Sequence, residues 1–153
     1  MSKHVATVEW TAKPGEDFLA GRYSRVHSVR FDGGVSLEGS AAPGNAPAAF
    51  ISERAVDPEE MFVASISSCH MLWFLHLARK DGVTVSAYRD IAEGVMATGP
   101  DGRISITRVV LRPAIDCDAD QDRIDALHER AHEACFIANS VRTDITVEQP
   151  QEA

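Results

Sequence analysis

Three side chains in this sequence can carry thiol chemistry: Cys69, Cys117 and Cys135. Two cysteines that meet in space can reduce a peroxide or exchange disulfides. One is oxidised to a sulfenic acid and the other condenses with it. Sequence spacing alone does not show which pair meets. Cys117, between two aspartates in Asp116-Cys-Asp118, reads as the bystander. For Cys69 two readings stand side by side, a small buried hydrophobe or a reactive thiol. Ser65, Ser67 and Ser68 are weak helix formers, and a break there would place Cys69 at a helix start, where thiolates are favoured.

A rival chemistry lies at His128-Glu-Arg-Ala-His132, which matches the H-E-x-x-H zinc pattern, with Cys135 one turn further on. On a helix the two imidazoles share a face. A catalytic zinc needs a third ligand and a cleft. The plain reading is a solvent-facing charged stripe, because the apolar residues of this segment are Ile124, Leu127, Ala131 and Ala134. His70 and His76 read as core-edge residues with satisfied hydrogen bonds. Arg22, Arg25 and Arg30 lie on one strand-like segment, and Arg25 shares a face with Tyr23 and His27. They are either a solvated strand face or a cation for a thiolate or carboxylate.

The elements that must position these groups centre on residues 57–80. Asp57 suits an N-cap, Pro58 the first helical position, and Glu60 completes a capping box. Arg79 and Lys80 suit a C-terminal turn, with Gly82 as the stop. From Met61 to Ala78 the helix carries almost no charge, so it is either a membrane span or buried in a core. Its serines and histidines, and its lack of aromatic belts, favour the core.

Before it, residues 4–10 read as a strand, and residues 23–31 and 35–37 as a hairpin turning at Asp32-Gly-Gly34. Residues 38–56 form a long loop. After it come a long strand over 83–96, straight or kinked, a turn at 99–102, a second long strand over 103–115, a helix over 121–137 and a strand over 141–147. The tail from 148 to 153 reads as loose. This order predicts a single α+β domain over 1–153, with mostly antiparallel sheet. One sheet and one amphipathic helix cannot cover an all-round apolar helix, so a homodimer is expected.

Composition narrows the function. At 153 residues the chain can bury a sizeable core, and 44% hydrophobic with 25% charged is ordinary for a globular protein. A net charge of −8 disfavours nucleic acid and acidic membranes as partners. The N-terminal residues contain no apolar h-region, and three cysteines make a poor disulfide framework, so a reducing, cytoplasmic setting is expected.

Asp57-Pro-Glu-Glu-Met-Phe-Val-Ala-Ser-Ile-Ser-Ser-Cys69, with Ala131-His-Glu-Ala-Cys135 downstream and the Tyr23…Arg25…Phe31-Asp-Gly-Gly34 hairpin upstream, resembles the OsmC/Ohr family of thiol-dependent peroxidases. The resemblance covers nearly the whole chain. It implies an OsmC-like fold, in which mostly antiparallel sheets wrap long central helices in an intertwined homodimer. It implies reduction of organic hydroperoxides to alcohols by Cys69 with Cys135 resolving. Arg25 and Glu59 would polarise the site, an external dithiol (lipoyl-type or other) would serve as reductant, and no cofactor or metal would be needed. The chain departs from the usual pattern at Phe136, where many members have proline, and at His70, which follows Cys69; both point to a less characterised subgroup. The alternatives are an OsmC-like redox sensor or small-molecule binder with little turnover and, more remotely, a zinc hydrolase. A straight helix would separate Glu59 from Cys69 by about 15 Å at 1.5 Å per residue. The implied site therefore demands a break between them, or a turned-back first segment.

Overall fold

The computed structural model describes residues 1–150. It divides into two compact units, Met1–Met61 and Phe62–Ala153.

The first unit holds a three-stranded antiparallel sheet in the order β1 (Ala6–Glu9), β2 (His27–Phe31), β3 (Ser36–Gly39). The hairpin turns where the Asp-Gly-Gly signal places it, with Gly34 at a positive φ of 89°. Gly39 is needed for another reason. A Cβ there would lie 2.3 Å from Nε2 of His27, its directly opposite partner. The loop after β3 contains one short 3-10 turn, Ala48–Phe50, and leads to helix α1 (Pro58–Lys80). The capping box at its start is made as expected. The Glu60 amide donates to the Asp57 carboxylate at 2.7 Å, and the Asp57 amide donates to Glu60 Oε2 at 3.0 Å.

α1 runs unbroken for 23 residues into the second unit. Ser65 and Ser68 do not break it, because each hydroxyl donates to a carbonyl three residues back, to Phe62 and Ser65 respectively. By length and composition α1 could cross a membrane. Within the second unit it instead buries one stripe, Ile66, His70, Phe74 and Ala78, at four-residue spacing. The expectation of burial all round is not met by this chain alone, since Leu72 is 62% exposed.

The two long strands expected after α1 are each divided. Residues 83–96 give β4 (Val85–Asp90) and β5 (Glu93–Thr98); residues 103–115 give β6 (Ile104–Leu111) and β7 (Pro113–Cys117). β4 pairs with β7, and β5 with β6, in separate sheets. The corner has a physical cause. The Arg112 amide donates to the Asp90 side chain at 2.7 Å instead of to a strand, and Pro113 has no amide hydrogen to give. β8 (Asp144–Val147) runs parallel to β6, the one parallel strand pair among the described residues in a mostly antiparallel arrangement.

Helix α2 (Gln121–Ala134) is capped by Asp120, which accepts from the Arg123 amide at 3.0 Å. It ends three residues earlier than the 121–137 expected, because Cys135 turns to an extended conformation. Two apolar clusters fill the unit, one around Phe74, Ala78, Val83, Leu127 and Ala131, the other around Ile66, Val109 and Leu111. The chain stays fixed at Glu148, whose amide donates to Leu111 O at 2.9 Å and whose carboxylate lies 3.3 Å from Arg112. Residues 151–153, the rest of the expected loose tail, lie outside the described residues.

Gly94 on β5 lies tight against α1. A Cβ there would lie 2.6 Å from Val63 Cγ2, a methyl on a stiff β-branched side chain of α1. Gly94→Ala is expected to destabilise the protein by about 1–3 kcal/mol in denaturant unfolding, despite alanine's advantage over glycine in a strand. Val63→Ala in the same chain should recover most of that loss.

Candidate thiol site

α1 and α2 pack together through the cluster of Phe74, Ala78, Leu127 and Ala131, and Cys69 comes close enough to Cys135 to act on its thiol. Their environments differ. Cys69 is half-buried, whereas Cys135 is only 1% exposed. Burial, followed by the hydrogen bond with Cys69, pushes the Cys135 thiol up from its ordinary value, while the Ala138 amide, 3.4 Å from its sulfur, acts in the opposite direction. The arrangement pairs an approachable sulfur with a buried, protonated one. Cys117 is half-buried in β7 and packs against the Phe74 cluster.

Aromatic residues neighbour both cysteines in the chain, Trp73 one turn after Cys69 and Phe136 directly after Cys135. The Trp73 ring meets Phe136 edge-on at 5.3 Å and His76 at 5.5 Å, and Phe136 is 69% exposed. On the other side of α1, Ser67 donates to the Asp90 carboxylate that also holds the Arg112 amide. No sequence signal marks that contact, because its partners are 23 residues apart.

The H-E-x-x-H segment takes a different course from the solvent-facing stripe expected. His128 is only 7% exposed, and its Nδ1 lies 2.9 Å from Nε2 of His70, with the rings stacked at 5.2 Å. Phe74 packs over the same imidazole at 4.6 Å. His128 borders the Ile124–Leu127–Ala131 face, and α1 covers that border, so it enters the core. Among the described residues no cluster of three or more histidine, cysteine or acidic side chains is placed to hold a metal ion. His70, expected at the core edge, is fully buried at 1% exposure. Burial, then the neighbouring His128 and His132, hold it down to about 4. Burial also lowers His128, against the pull of Asp125 and Asp90.

Arg25 and Glu59 belong to the first unit. Arg25 Nη1 donates to the carbonyls of Gly21, at 2.9 Å, and Tyr23, and its guanidinium lies 3.7 Å over the Tyr23 ring. Arg22 is engaged elsewhere, 2.6 Å from Asp17. Glu59 receives one long hydrogen bond from Asn45 at 3.4 Å, and its Oε2 is buried without a partner. The charge-assisted Arg25–Glu59 bond that the resemblance implies is not formed, because the arginine is taken up by its own loop. The break demanded between Glu59 and Cys69 is also absent. Ten residues of continuous helix separate them, about 15 Å, so Glu59 does not serve the cysteine of its own chain.

Comparison with known proteins bears on this arrangement. A profile of the OsmC-like protein family matches residues 51–149. The structure of an OsmC-like protein of unknown function from Vibrio cholerae O1 biovar eltor str. N16961 is 43% identical and superposes with a TM-score of 0.92, over 97% of this chain and 99% of its own. An organic hydroperoxide resistance protein OsmC from Legionella pneumophila, 21% identical, gives a TM-score of 0.70 over 99% of this chain and 98% of its own. The organic hydroperoxide resistance protein OhrB of Bacillus subtilis, 22% identical, gives 0.63 over 97% and 98%. At these lower identities the likeness is one of fold. A comparison with curated protein sequences found no match. With its capped central helix, paired thiols and α+β architecture, the chain belongs to the OsmC-like protein family.

Proposed function

We propose that this protein is a thiol-dependent peroxidase that reduces organic hydroperoxides to alcohols. The observation that carries the reading is the contact between a half-exposed Cys69 and a buried, protonated Cys135. The Cys69 thiolate attacks the terminal oxygen of ROOH. The O–O bond breaks, and the departing alkoxide takes up a proton to leave as ROH. Cys69 is then a sulfenic acid. Cys135 attacks its sulfur, forming the disulfide and releasing water. An external dithiol restores both thiols. The balance is ROOH plus two thiols giving ROH, water and a disulfide.

A second copy of the chain enters this proposal for two reasons. α1 leaves Leu72 exposed beside a single buried stripe, so a homodimer would complete its cover. The unpartnered Glu59 Oε2 and the arginine at position 25 could then serve the Cys69 of the other copy and stabilise the developing oxygen charge. A reducing, cytoplasmic compartment suits three free thiols.

The alternative reading, a redox sensor or small-molecule binder with little turnover, draws on Arg25 being held by its own loop. Turnover of cumene hydroperoxide with dihydrolipoamide or dithiothreitol separates the two. The peroxidase reading expects repeated catalytic cycles, whereas a sensor gives one equivalent of disulfide and stops. The remote zinc-hydrolase reading meets His128 already paired to His70 in the core.

A further inference from the structure

The second unit contains a cleft that the thiol chemistry does not use. It lies between α2, β7 and β8, with a volume of about 570 Å³, within the range of small-molecule sites. We propose that this cleft binds a small organic ammonium ion with an apolar body, such as an alkylamine in its protonated form.

The lining specifies the charge. Asp125, Glu129 and Glu148 contribute carboxylates, and among the described residues no lysine or arginine lines the cleft. Arg112, which pairs with Glu148 at 3.3 Å, is shared with Glu93 at 3.2 Å, so it does not neutralise both. Asp125 receives only a neutral amide donor, from Gln121 at 2.7 Å. The walls, including Ile115, Ile124 and Val147, are apolar and suit a hydrocarbon body.

The second, independent feature is His128, more than nine-tenths buried and yet part of the lining. Its Nδ1 is committed to His70, and its Nε2 makes no hydrogen bond to any described residue. In the tautomer where His128 Nδ1–H donates to His70, Nε2 presents a lone pair, which an ammonium N–H can fill. Burial lowers both imidazoles of the stacked pair from their ordinary value, so at neutral pH this acceptor is uncharged and does not repel a cation. An anion would meet three carboxylates. A neutral hydrocarbon would leave both the imidazole and the acidic rim without partners.

The inference is independent of the peroxidase reading. Its test is calorimetric titration of the native assembly with n-hexylammonium, n-hexanol and hexanoate at neutral pH. Saturable binding of n-hexylammonium is expected, at least about tenfold tighter than either analogue. Asp125→Asn with Glu129→Gln, both at exposed positions, should weaken it about tenfold at low salt without altering hexanol binding. His128→Phe should weaken it further. Equal affinity for hexanol and hexylammonium, failure of the native protein to bind hexylammonium, or indifference to the Asp125/Glu129 pair would each overturn the proposal.

Discussion

Replacing Cys69 by serine is expected to abolish hydroperoxide reduction, lowering the rate by on the order of a thousandfold or more, because a serine hydroxyl does not ionise near neutral pH and bonds poorly to peroxide oxygen. Serine is nearly isosteric at this half-buried position, so unfolding should change little. Cys135→Ser should behave differently. The first attack still occurs, one equivalent of alcohol is released, and the sulfenic acid on Cys69 persists until further peroxide carries it to sulfinic acid. Dimedone should label Cys69 in the Cys135→Ser protein after one equivalent of cumene hydroperoxide and should fail to label it in the wild type. Cys117→Ser should leave turnover unchanged. If Cys69→Ser consumes peroxide at the wild-type rate, the peroxidase reading fails.

Acid should unfold this protein through its buried imidazoles. In the folded state His70 is held down to about 4, first by burial and then by His128 and His132, against an ordinary value of 6.5. The unfolded chain therefore binds more protons than the folded chain at pH values between these two. Stability is fully present above about 6.5 and is lost as pH falls toward 4. By pH 4.5 the loss amounts to on the order of 2–3 kcal/mol from this group. His128, lowered in the same direction, adds to it. Urea unfolding at pH 7 and pH 4.5 would measure the change. His70→Leu costs stability at pH 7 by leaving His128 Nδ1 without its partner, but it should flatten the pH dependence. A variant that loses stability in parallel with the wild type between the two pH values would show that the pair is not responsible.

The sequence announced the helix bounds with most authority because those signals are local. Asp57, Pro58 and Glu60 act within one turn, and the structure uses all three. The hairpin at Asp32-Gly-Gly34 was legible for the same reason. The long strands were read as two and proved to be four, because their division rests on Asp90 capturing the amide of Arg112, a contact across 22 residues. The pairing of Cys69 with Cys135 was implied only by the family resemblance, because sequence spacing carries no information on which thiols meet. His128 was read as surface because helical periodicity places it at the edge of the apolar face. Its burial depends on which element packs beside that edge, and no single helix encodes that. The serines before Cys69 suggested a break, but their hydroxyls bond back to their own helix. That leaves Glu59 ten residues of unbroken helix away from its own Cys69.

The most direct test of the proposal is peptide mapping under non-reducing conditions, after the fully reduced protein has received one equivalent of cumene hydroperoxide. The account predicts one intrachain disulfide joining Cys69 to Cys135, one equivalent of alcohol, and Cys117 recovered as a free thiol. Loss of the peroxide with Cys69 and Cys135 both still reduced, or a disulfide that engages Cys117 instead, would contradict it.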